Sequence, residues 1–250
     1  MANPNKLPVL EIFGPTIQGE GAMIGKQTTF IRTVHCDYAC KMCDSMHAVD
    51  PAQYKGKETT YTAQELFDAV MAIQGKCEWI TISGGNPALW DFSEFLVLAD
   101  DAGLFVAVET QGSVFKPWLL HVDQLTVSPK GPGMGVDEQQ SLKDFVNFMD
   151  HMSSEGGNTC LMDIKIPVFN VRDLEFAETI AALNPDAHLY LSVGNDILPQ
   201  DLGLLLSDHR DRLLGAMDLI YEAVKNRPGL ANAIVLPQLH VLLWGNRQLV

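Results

Sequence analysis

Basic residues are scarce in this sequence, and it contains no long apolar run. Its 250 residues include 17 Lys and Arg against 31 Asp and Glu, a formal net charge of −14 at pH 7. Binding nucleic-acid phosphates or an anionic membrane surface requires a surplus of Lys and Arg, so neither is expected as a partner. No stretch approaches the roughly 18 apolar residues of a membrane span, and the first residues lack a signal-peptide core. These absences predict a cytoplasmic protein.

Cysteine is also sparse, and its placement is uneven. Of five cysteines, Cys36, Cys40 and Cys43 fall close together. An odd, clustered set does not suit the disulfide framework of a secreted protein and indicates a site instead. Soft thiolates so close together select zinc, copper(I) or an iron–sulfur cluster. His35 or His47 could complete a structural zinc site, whereas a cluster held by three thiols would keep one iron open for chemistry.

Short apolar runs alternate with helical patterns along the rest of the chain. Strands are predicted at residues 9–13, 28–34, 79–83, 105–110, 125–128, 161–166, 189–193 and 233–236. Helices are predicted after the Thr62 capping box up to Gly75, at 93–102, 141–152 and 173–183, and over 200–226, where Gly203 and Gly215 could interrupt the helix. Strand–helix alternation with nearly continuous apolar strands predicts a parallel sheet or barrel.

Polar and glycine-rich segments follow the carboxyl ends of the predicted strands. They lie at residues 35–36, 83–87, 109–112, 128–130, 192–195 and 237–240. Any one of them could be an ordinary turn, because turns also favour Gly, Pro, Ser and Asn. In a (β/α) barrel, however, such segments meet at one face, where active sites lie. Six in succession therefore favour an active site over ordinary turns.

The cysteine motif and three further segments carry a family resemblance. Cys36-x3-Cys40-x2-Cys43 after a strand resembles the cluster motif of radical S-adenosylmethionine enzymes. Residues 11–21 (EIFGPTIQGEG), residues 43–45 (CDS) and the Gln238-x-His240 pair narrow the resemblance. Together with the Ser-Gly-Gly-Asn-Pro segment at 83–87, they make the sequence similar, from residue 10 to residue 245, to the 7-carboxy-7-deazaguanine synthase family.

The resemblance implies a fold and a reaction. The expected fold is α/β, an incomplete (β/α)6 radical-SAM barrel with extra N- and C-terminal strands. The chain would be one domain, with a core at about 28–195 and extensions 1–27 and 196–250 completing the substrate site. In that family, a radical derived from S-adenosylmethionine removes the hydrogen at C6 of 6-carboxy-5,6,7,8-tetrahydropterin. The ring then contracts to 7-carboxy-7-deazaguanine with loss of ammonia, a step of 7-deazapurine and queuosine biosynthesis.

The resemblance also implies the cofactors and the residues that bind them. Cys36, Cys40 and Cys43 would hold a [4Fe–4S] cluster, and Ser45 would bind Mg²⁺, which takes few protein oxygens. The residues expected to bind S-adenosylmethionine are Gly84, Gly85, Asn86, Glu109, Gln111, Ser128, Pro129, Lys130, Ser192, Val193, Gly194 and Asn195. The glycine pair would let the backbone approach the cofactor, and the Lys130 cation suits a carboxylate.

The expected substrate-binding residues lie on several segments of the chain. They are Ile17, Gln18, Gly19, Glu20, Arg32, Ser83 and His240. Arg32 stands in an otherwise apolar strand, where it needs a partner. That partner could be the substrate carboxylate or, alternatively, Glu11 or Glu20. The cavity cations Arg32 and Lys130 are expected to meet carboxylates, and the surplus acids are expected to stay on the surface.

The resemblance further implies two protein contacts, an electron donor such as flavodoxin or ferredoxin and a second copy in a homodimer. Two other interpretations of the cysteines stay open. Another radical S-adenosylmethionine enzyme, such as an activase of glycyl-radical proteins, would share the cysteines but not residues 18–21 or the Gln238-x-His240 pair. A zinc or iron–sulfur module would use the thiols for structure or redox sensing alone. Cys77 and Cys160 are assigned to the core.

Overall fold

Nine strands form one mixed sheet in the computed structural model, which describes residues 6–154, 160–196 and 206–249. The strands are β1 (Leu7–Ile17), β2 (Gln27–Thr33), β3 (Thr59–Tyr61), β4 (Trp79–Gly84), β5 (Phe105–Thr110), β6 (Gln124–Val127), β7 (Leu161–Val168), β8 (His188–Val193) and β9 (Ile234–Leu236). The α-helices are α1 (Met46–Val49), α2 (Pro51–Tyr54), α3 (Ala63–Gln74), α4 (Ser93–Asp101), α5 (Glu138–Ser154), α6 (Val171–Leu183), α7 (Leu206–Lys225) and α8 (Leu239–Trp244). Short 3-10 turns lie between several of these elements.

The strand order explains why the barrel is incomplete. The sheet runs β3-β1-β2-β4-β5-β6-β7-β8-β9, and β2, β4, β5, β6, β7 and β8 are parallel neighbours. β1 pairs antiparallel with β2, whereas β9 continues the parallel arrangement beside β8. Among the strands that the structure describes, β3 and β9 are the two edges of the sheet and do not pair with each other. The predicted six-stranded core with an added strand on each side is therefore confirmed.

Helices cover the sheet because the strands are apolar on the face turned towards them. The largest fully buried side chains are phenylalanines from the helices and their flanking residues and aliphatic residues from the strands, α3 and one 3-10 turn: Phe92, Phe95, Phe145, Phe148, Phe176, Ile31, Leu66, Ile80, Ile82, Leu119, Leu125 and Ile164. Burial of such side chains contributes most of the stabilisation of a fold of this kind. The opposite faces of β2, β4, β5 and β7 carry Arg32, Ser83, Glu109 and Lys165, which are polar and line a cavity.

Local sequence signals fix several helix ends. α3 begins at the predicted capping box, in which Thr62 Oγ1 accepts from the Glu65 amide and Glu65 Oε2 accepts from the Thr62 amide. It ends at Gly75, whose φ of 59° favours glycine. α5 begins before the predicted residue 141 and ends after 152. α7 runs without a break through Gly215, so the interruption expected there is wrong; residues 200–205, including Gly203, lie outside the described residues.

Two further features concern an edge strand and the apolar length of the helices. Strand β3 was not predicted, because Thr59 and Thr60 are exposed and show no apolar pattern. No α-helix among the described residues is long and apolar enough to cross a membrane.

Candidate functional site

The carboxyl ends of the parallel strands open into one cavity. Each of the six polar segments predicted from the strand ends contributes lining residues to it. The contributors are Cys36 after β2, Ser83, Gly84 and Gly85 at β4, Glu109 and Gln111 at β5, Ser128 and Lys130 after β6, Gly194 and Asn195 after β8, and Gln238 and His240 after β9. The fold therefore brings all six segments together at one cavity.

The loop that carries the three cysteines is held from several sides. His35, which begins it, has a φ of 71° and is fixed by backbone hydrogen bonds to Ala48 and Asn86, both of 2.8 Å. The hydroxyl of Tyr38 donates to Asp144 on α5 at 2.7 Å. These contacts fix the position of the loop at the cavity wall.

The three thiols line the cavity and are partly or fully buried. Burial raises the pKa of the Cys36 thiol to about 11 and that of Cys43 to about 12, and it also raises the pKa of Cys40. The Lys130 ammonium acts in the opposite direction on all three. Each thiol must therefore lose a proton when it binds a metal. Within the described ranges, no group of three or more His, Cys, Asp or Glu side chains is arranged to hold a single metal ion.

The glycine pair after β4 packs against the cysteine loop. A Cβ on Gly84, whose φ is 130°, would overlap the backbone nitrogen and oxygen of Thr33. A Cβ on Gly85 would overlap the carbonyl group of His35. Close approach of the end of β4 to the end of β2 thus requires both glycines, whatever the cavity binds.

Asn86 has a structural environment rather than a place in the cavity wall. It is fully buried, and its Nδ2 donates to Asp37 Oδ1 at 2.8 Å and to Ser113 Oγ at 3.2 Å. Its Oδ1 accepts from the Thr110 hydroxyl at 2.8 Å and from the amide of Ala88 at 3.2 Å. The side chain therefore ties the cysteine loop to β5 and has no remaining polar group to offer a ligand.

Gln111 combines a structural contact with a place in the cavity. Its Nε2 donates to Asp37 Oδ1 at 2.7 Å, and it lies 3.6 Å from the Cys36 Sγ. Gln111 also lines the cavity, unlike Asn86. Amide groups beside a thiolate ligand are the kind of contact that tunes a metal site.

Arg32 has a carboxylate partner within the chain. Its Nε donates to Glu11 Oε2 at 2.9 Å, and its Nη1 donates to the Ser45 hydroxyl, also at 2.9 Å. The Ser45 hydroxyl in turn donates to Asp44 at 3.0 Å. Burial raises the pKa of Glu11, but contacts with His47 and Arg32 outweigh it and lower that pKa below its ordinary value. The salt bridge to Glu11 that the sequence left open is therefore present.

A second cluster of charges lines the same cavity. Lys165 on β7 contacts Glu20 Oε2 at 2.5 Å and Glu109 Oε1 at 3.7 Å. Gln238 donates to Glu20 Oε1 at 2.7 Å, and Ser83 donates to Glu109 at 2.9 Å. Burial raises the pKa of Glu20, but Lys165, His240 and the hydrogen bond from Gln238 together outweigh it and lower that pKa to about 2. Glu20 is therefore an ionised acceptor at neutral pH.

Most of the predicted site residues line this cavity, and four do not. Those in the lining are Ile17, Gln18, Gly19, Glu20, Arg32, Cys36, Cys40, Cys43, Ser45, Ser83, Gly84, Gly85, Glu109, Gln111, Ser128, Lys130, Gly194, Asn195 and His240. Those outside the lining are Asn86, Pro129, Ser192 and Val193, all of them buried.

Sequence reasoning missed several lining residues, of which Lys165 is the most informative. A charged residue between Ile164 and Ile166 on a predicted strand is the same signal that singled out Arg32, and it was present in the sequence. Acidic side chains pair with cations inside the cavity. The acids in the lining are Glu11, Glu20, Asp44 and Glu109.

An incomplete parallel barrel with three thiols on the loop after its first parallel strand is typical of the radical S-adenosylmethionine enzymes, and this chain has that architecture. The structure is similar to that of QueE from Escherichia coli, with a TM-score of 0.64 and 22% sequence identity over 94% of this chain and 95% of that one. No protein-family model matches the sequence.

Two curated relatives are similar over nearly their whole length. The 7-carboxy-7-deazaguanine synthase of Bacillus subtilis strain 168 is 41% identical over 97% of this chain and 98% of the relative. That of Bacillus cereus is 38% identical over 98% of this chain and 99% of the relative. The chain belongs to the 7-carboxy-7-deazaguanine synthase family.

Proposed function

We propose that this chain catalyses the ring contraction of 6-carboxy-5,6,7,8-tetrahydropterin to 7-carboxy-7-deazaguanine with loss of ammonia. The observation that carries the proposal is that the three thiols and all seven predicted substrate-binding residues line one cavity. A radical generated beside the thiols could reach a substrate held in the same cavity without diffusing through water. The reaction belongs to 7-deazapurine biosynthesis, including that of queuosine.

The three thiols fit a [4Fe–4S] cluster by their chemistry and by their shared cavity. Cys36, Cys40 and Cys43 would hold it, since soft thiolates are the usual ligands of such clusters. When bound, the cluster and S-adenosylmethionine together supply an electron and a hydrogen-abstracting radical. The protein itself orients both groups and keeps water from the reacting atoms.

Lys130 is the cation best placed for the carboxylate of S-adenosylmethionine. Its ammonium donates to Ser128 at 2.9 Å, and within the described part of the chain it forms no ion pair. A cation that has no carboxylate partner of its own favours an incoming one. Gln111, Gly194 and Asn195 complete this part of the wall, and we assign them to the remainder of the cofactor.

Pro129, Ser192, Val193 and Asn86 lie behind this wall. We assign them to shaping the cofactor site rather than to contacting the cofactor. The glycine pair contributes in a similar way, because it allows the end of β4 to pack directly against the cysteine loop.

The two charge clusters suit opposite ends of the pterin. Arg32 would hold the substrate carboxylate through the guanidinium edge that Glu11 and Ser45 leave free. Glu20 and the Gln238 Oε1, which is buried without a partner among the described residues, would accept from the N–H groups of the pyrimidine ring. Ile17, Gln18, Gly19, Ser83 and His240 would form the wall between these ends.

Ser45 offers one oxygen to a magnesium ion. Its hydroxyl already lies between the Arg32 guanidinium and the Asp44 carboxylate, so the adjacent acid would offset the charge of the ion. Magnesium keeps several waters and needs few protein ligands. The ion would orient the substrate carboxylate beside Arg32.

We also propose the assembly in which this reaction takes place. The chain acts as one cytoplasmic domain, and its extensions 1–27 and 196–250 complete the substrate site around the core. It works as a homodimer and receives electrons from a donor such as flavodoxin or ferredoxin. The shared sheet supports the first statement, because β1 and β9 pair directly with core strands.

Anaerobic reconstitution tests the proposal. Purified protein given iron, sulfide, reductant, magnesium and S-adenosylmethionine is expected to bind about four irons per chain and to convert the tetrahydropterin, as followed by chromatography of the product. Cys43→Ala should lose iron and activity, whereas Cys77→Ala, a change of a buried cysteine outside the cavity, should keep both. An intact cluster without turnover refutes the substrate, and a colourless zinc protein refutes the reaction class.

A further inference from the structure

Lys165 is a buried cation on an apolar strand. It lies on β7 between Ile164 and Ile166, and the whole residue is only 7% exposed. An ammonium group that leaves water at such a site is costly unless it is paired and hydrogen-bonded. The two carboxylates within reach, Glu20 and Glu109, come from distant parts of the chain. The ion pairs with Glu20 and Glu109 therefore offset the cost of burying this ammonium group.

The contacts of Lys165 join both sides of the cavity. Glu20 follows β1 on the predicted substrate side, whereas Glu109 ends β5 on the predicted cofactor side. Gln18 donates to Glu109 at 3.2 Å, and Gln238 donates to Glu20 at 2.7 Å. One ammonium shared by two carboxylates leaves an excess of negative charge, which favours N–H donors over acceptors at this place.

We propose that Lys165 is a positioning residue that holds Glu20 ionised and correctly oriented to accept hydrogen bonds from the pyrimidine N–H groups of the substrate. The inference rests on the proposed function and adds a residue that does not itself contact the substrate. Glu20 has two oxygens, one fixed by Lys165 and the other by Gln238, so its carboxylate plane is set before the substrate arrives. Such preorganisation improves binding because less ordering remains for the complex.

The pH dependence follows from the groups that face Glu20. Lys165 faces it from β7, and His240 and Gln238 face it from the C-terminal segment; Glu109 and Asp44 act on it through Lys165. With Lys165 present, the pKa of Glu20 is about 2, so the carboxylate stays ionised throughout an assay at neutral pH. Without Lys165, the burial that raises this pKa loses its largest counterweight. Protonated Glu20 would then accumulate as the pH falls.

Two substitutions at Lys165 test the proposal. Lys165→Met removes the charge at similar length, and Lys165→Arg retains the charge. For the methionine variant we expect KM for the tetrahydropterin to rise about 10- to 100-fold, because a buried carboxylate loses its charged partner, while kcat changes by less than about threefold. The rise should become larger from about pH 9 to about pH 6. The arginine variant should recover most of the loss.

A binding measurement separates positioning from chemistry. Titration of the tetrahydropterin into reconstituted protein with S-adenosylmethionine but without reductant should show the same loss of affinity in Lys165→Met. Lys225→Met is the matched control, because it removes an exposed ion pair with Glu222 outside the cavity and should leave KM and Kd unchanged. Glu20→Gln should weaken binding to a similar extent at every pH from about 9 to about 6, and unchanged binding in this variant would overturn the inference even if Lys165→Met does not fold.

The outcomes distinguish this inference from the proposed function. Absence of wild-type turnover with an intact cluster overturns the proposed function and this inference with it. Wild-type turnover with an unchanged KM and pH profile in Lys165→Met overturns the inference alone. A fall in kcat with unchanged KM and Kd also overturns it, because a positioning residue for binding does not act on kcat alone.

Discussion

Replacing Asn86 by leucine should destabilise the protein strongly without removing a cavity-lining residue. The side chain is 0% exposed and makes four hydrogen bonds. Leucine has a similar volume but offers neither donor nor acceptor. The Thr110 hydroxyl and the Ala88 amide, both on buried residues, would lose their shared acceptor. The Asp37 carboxylate would lose its hydrogen bond from Asn86 but keep the one from Gln111, so it should contribute less to the destabilisation.

The magnitude follows from those two stranded groups. A buried polar group that loses its partner costs about 1–3 kcal/mol, so the two groups stranded by Asn86→Leu should lower the free energy of unfolding by about 2–6 kcal/mol. For a chain of this length, 1 kcal/mol corresponds to a shift of about 2–4 °C in Tm, so we expect a decrease of about 4–24 °C. Asn86→Asp should also destabilise, because it places a second carboxylate 2.8 Å from that of Asp37.

Urea unfolding followed by circular dichroism measures the effect, and Asn170 supplies a matched control. Like Asn86, Asn170 accepts from the backbone amide two residues later, that of Arg172 at 2.9 Å, and it caps α6, but it is exposed. Asn170→Ala should therefore lose the capping contribution alone, about 1 kcal/mol. If Asn86→Leu proved no more destabilising than Asn170→Ala, the interpretation of Asn86 as the centre of a buried network would be refuted.

Three further changes have expected outcomes that differ in sign or in readout. Gly85→Ala should lower the urea midpoint far more than Gly25→Ala. No atom lies within 4 Å of a Cβ on Gly25, so Gly25→Ala costs only the roughly 1–2 kcal/mol of a positive φ. Equal midpoints would contradict the close packing of Gly85. Gly215→Ala should stabilise α7 by about 0.5–1 kcal/mol, since its Cβ also meets nothing, and an unchanged or lower midpoint would contradict this. Arg32→Lys should raise KM for the carboxylated pterin about tenfold or more, because lysine cannot donate to Glu11 and to the substrate carboxylate with the geometry of a guanidinium. An unchanged KM would mean that Arg32 pairs with Glu11 and does not bind the substrate.

The strands and the shared cavity were predictable from local patterns. All eight predicted strands are present, because buried parallel strands are continuous apolar runs that periodicity detects. β3 was missed because it is a short edge strand whose pairing with β1 depends on tertiary contact rather than on its own sequence. The carboxyl-end rule then placed the polar segments together, since parallel strands all point the same way.

The sequence predicts where individual site residues lie better than it predicts what their side chains contact. The glycine pair was expected to admit a ligand, yet the backbones of Thr33 and His35 already exclude a Cβ there. Similarly, Asn86 is expected at the cofactor, but Asp37 and Thr110, together with Ser113 and Ala88, take up all the hydrogen bonds of its amide; Asp37 and Thr110 tie it to the cysteine loop and to β5. Both partners are distant in sequence, so no local pattern could identify them.

Net charge described the surface of this protein but not its cavity. The acidic surplus disfavours nucleic acid as a partner, but it says nothing about which charges meet inside the cavity. There, Glu11 pairs with Arg32 and Glu20 pairs with Lys165, so each acid both offsets the desolvation of a cation and is itself kept ionised. Lys130 has no such partner within the described chain, so an anionic ligand can engage it without displacing an acid. An acidic protein can therefore receive anionic ligands, because pairing inside the cavity, rather than the total charge, decides which cations are available.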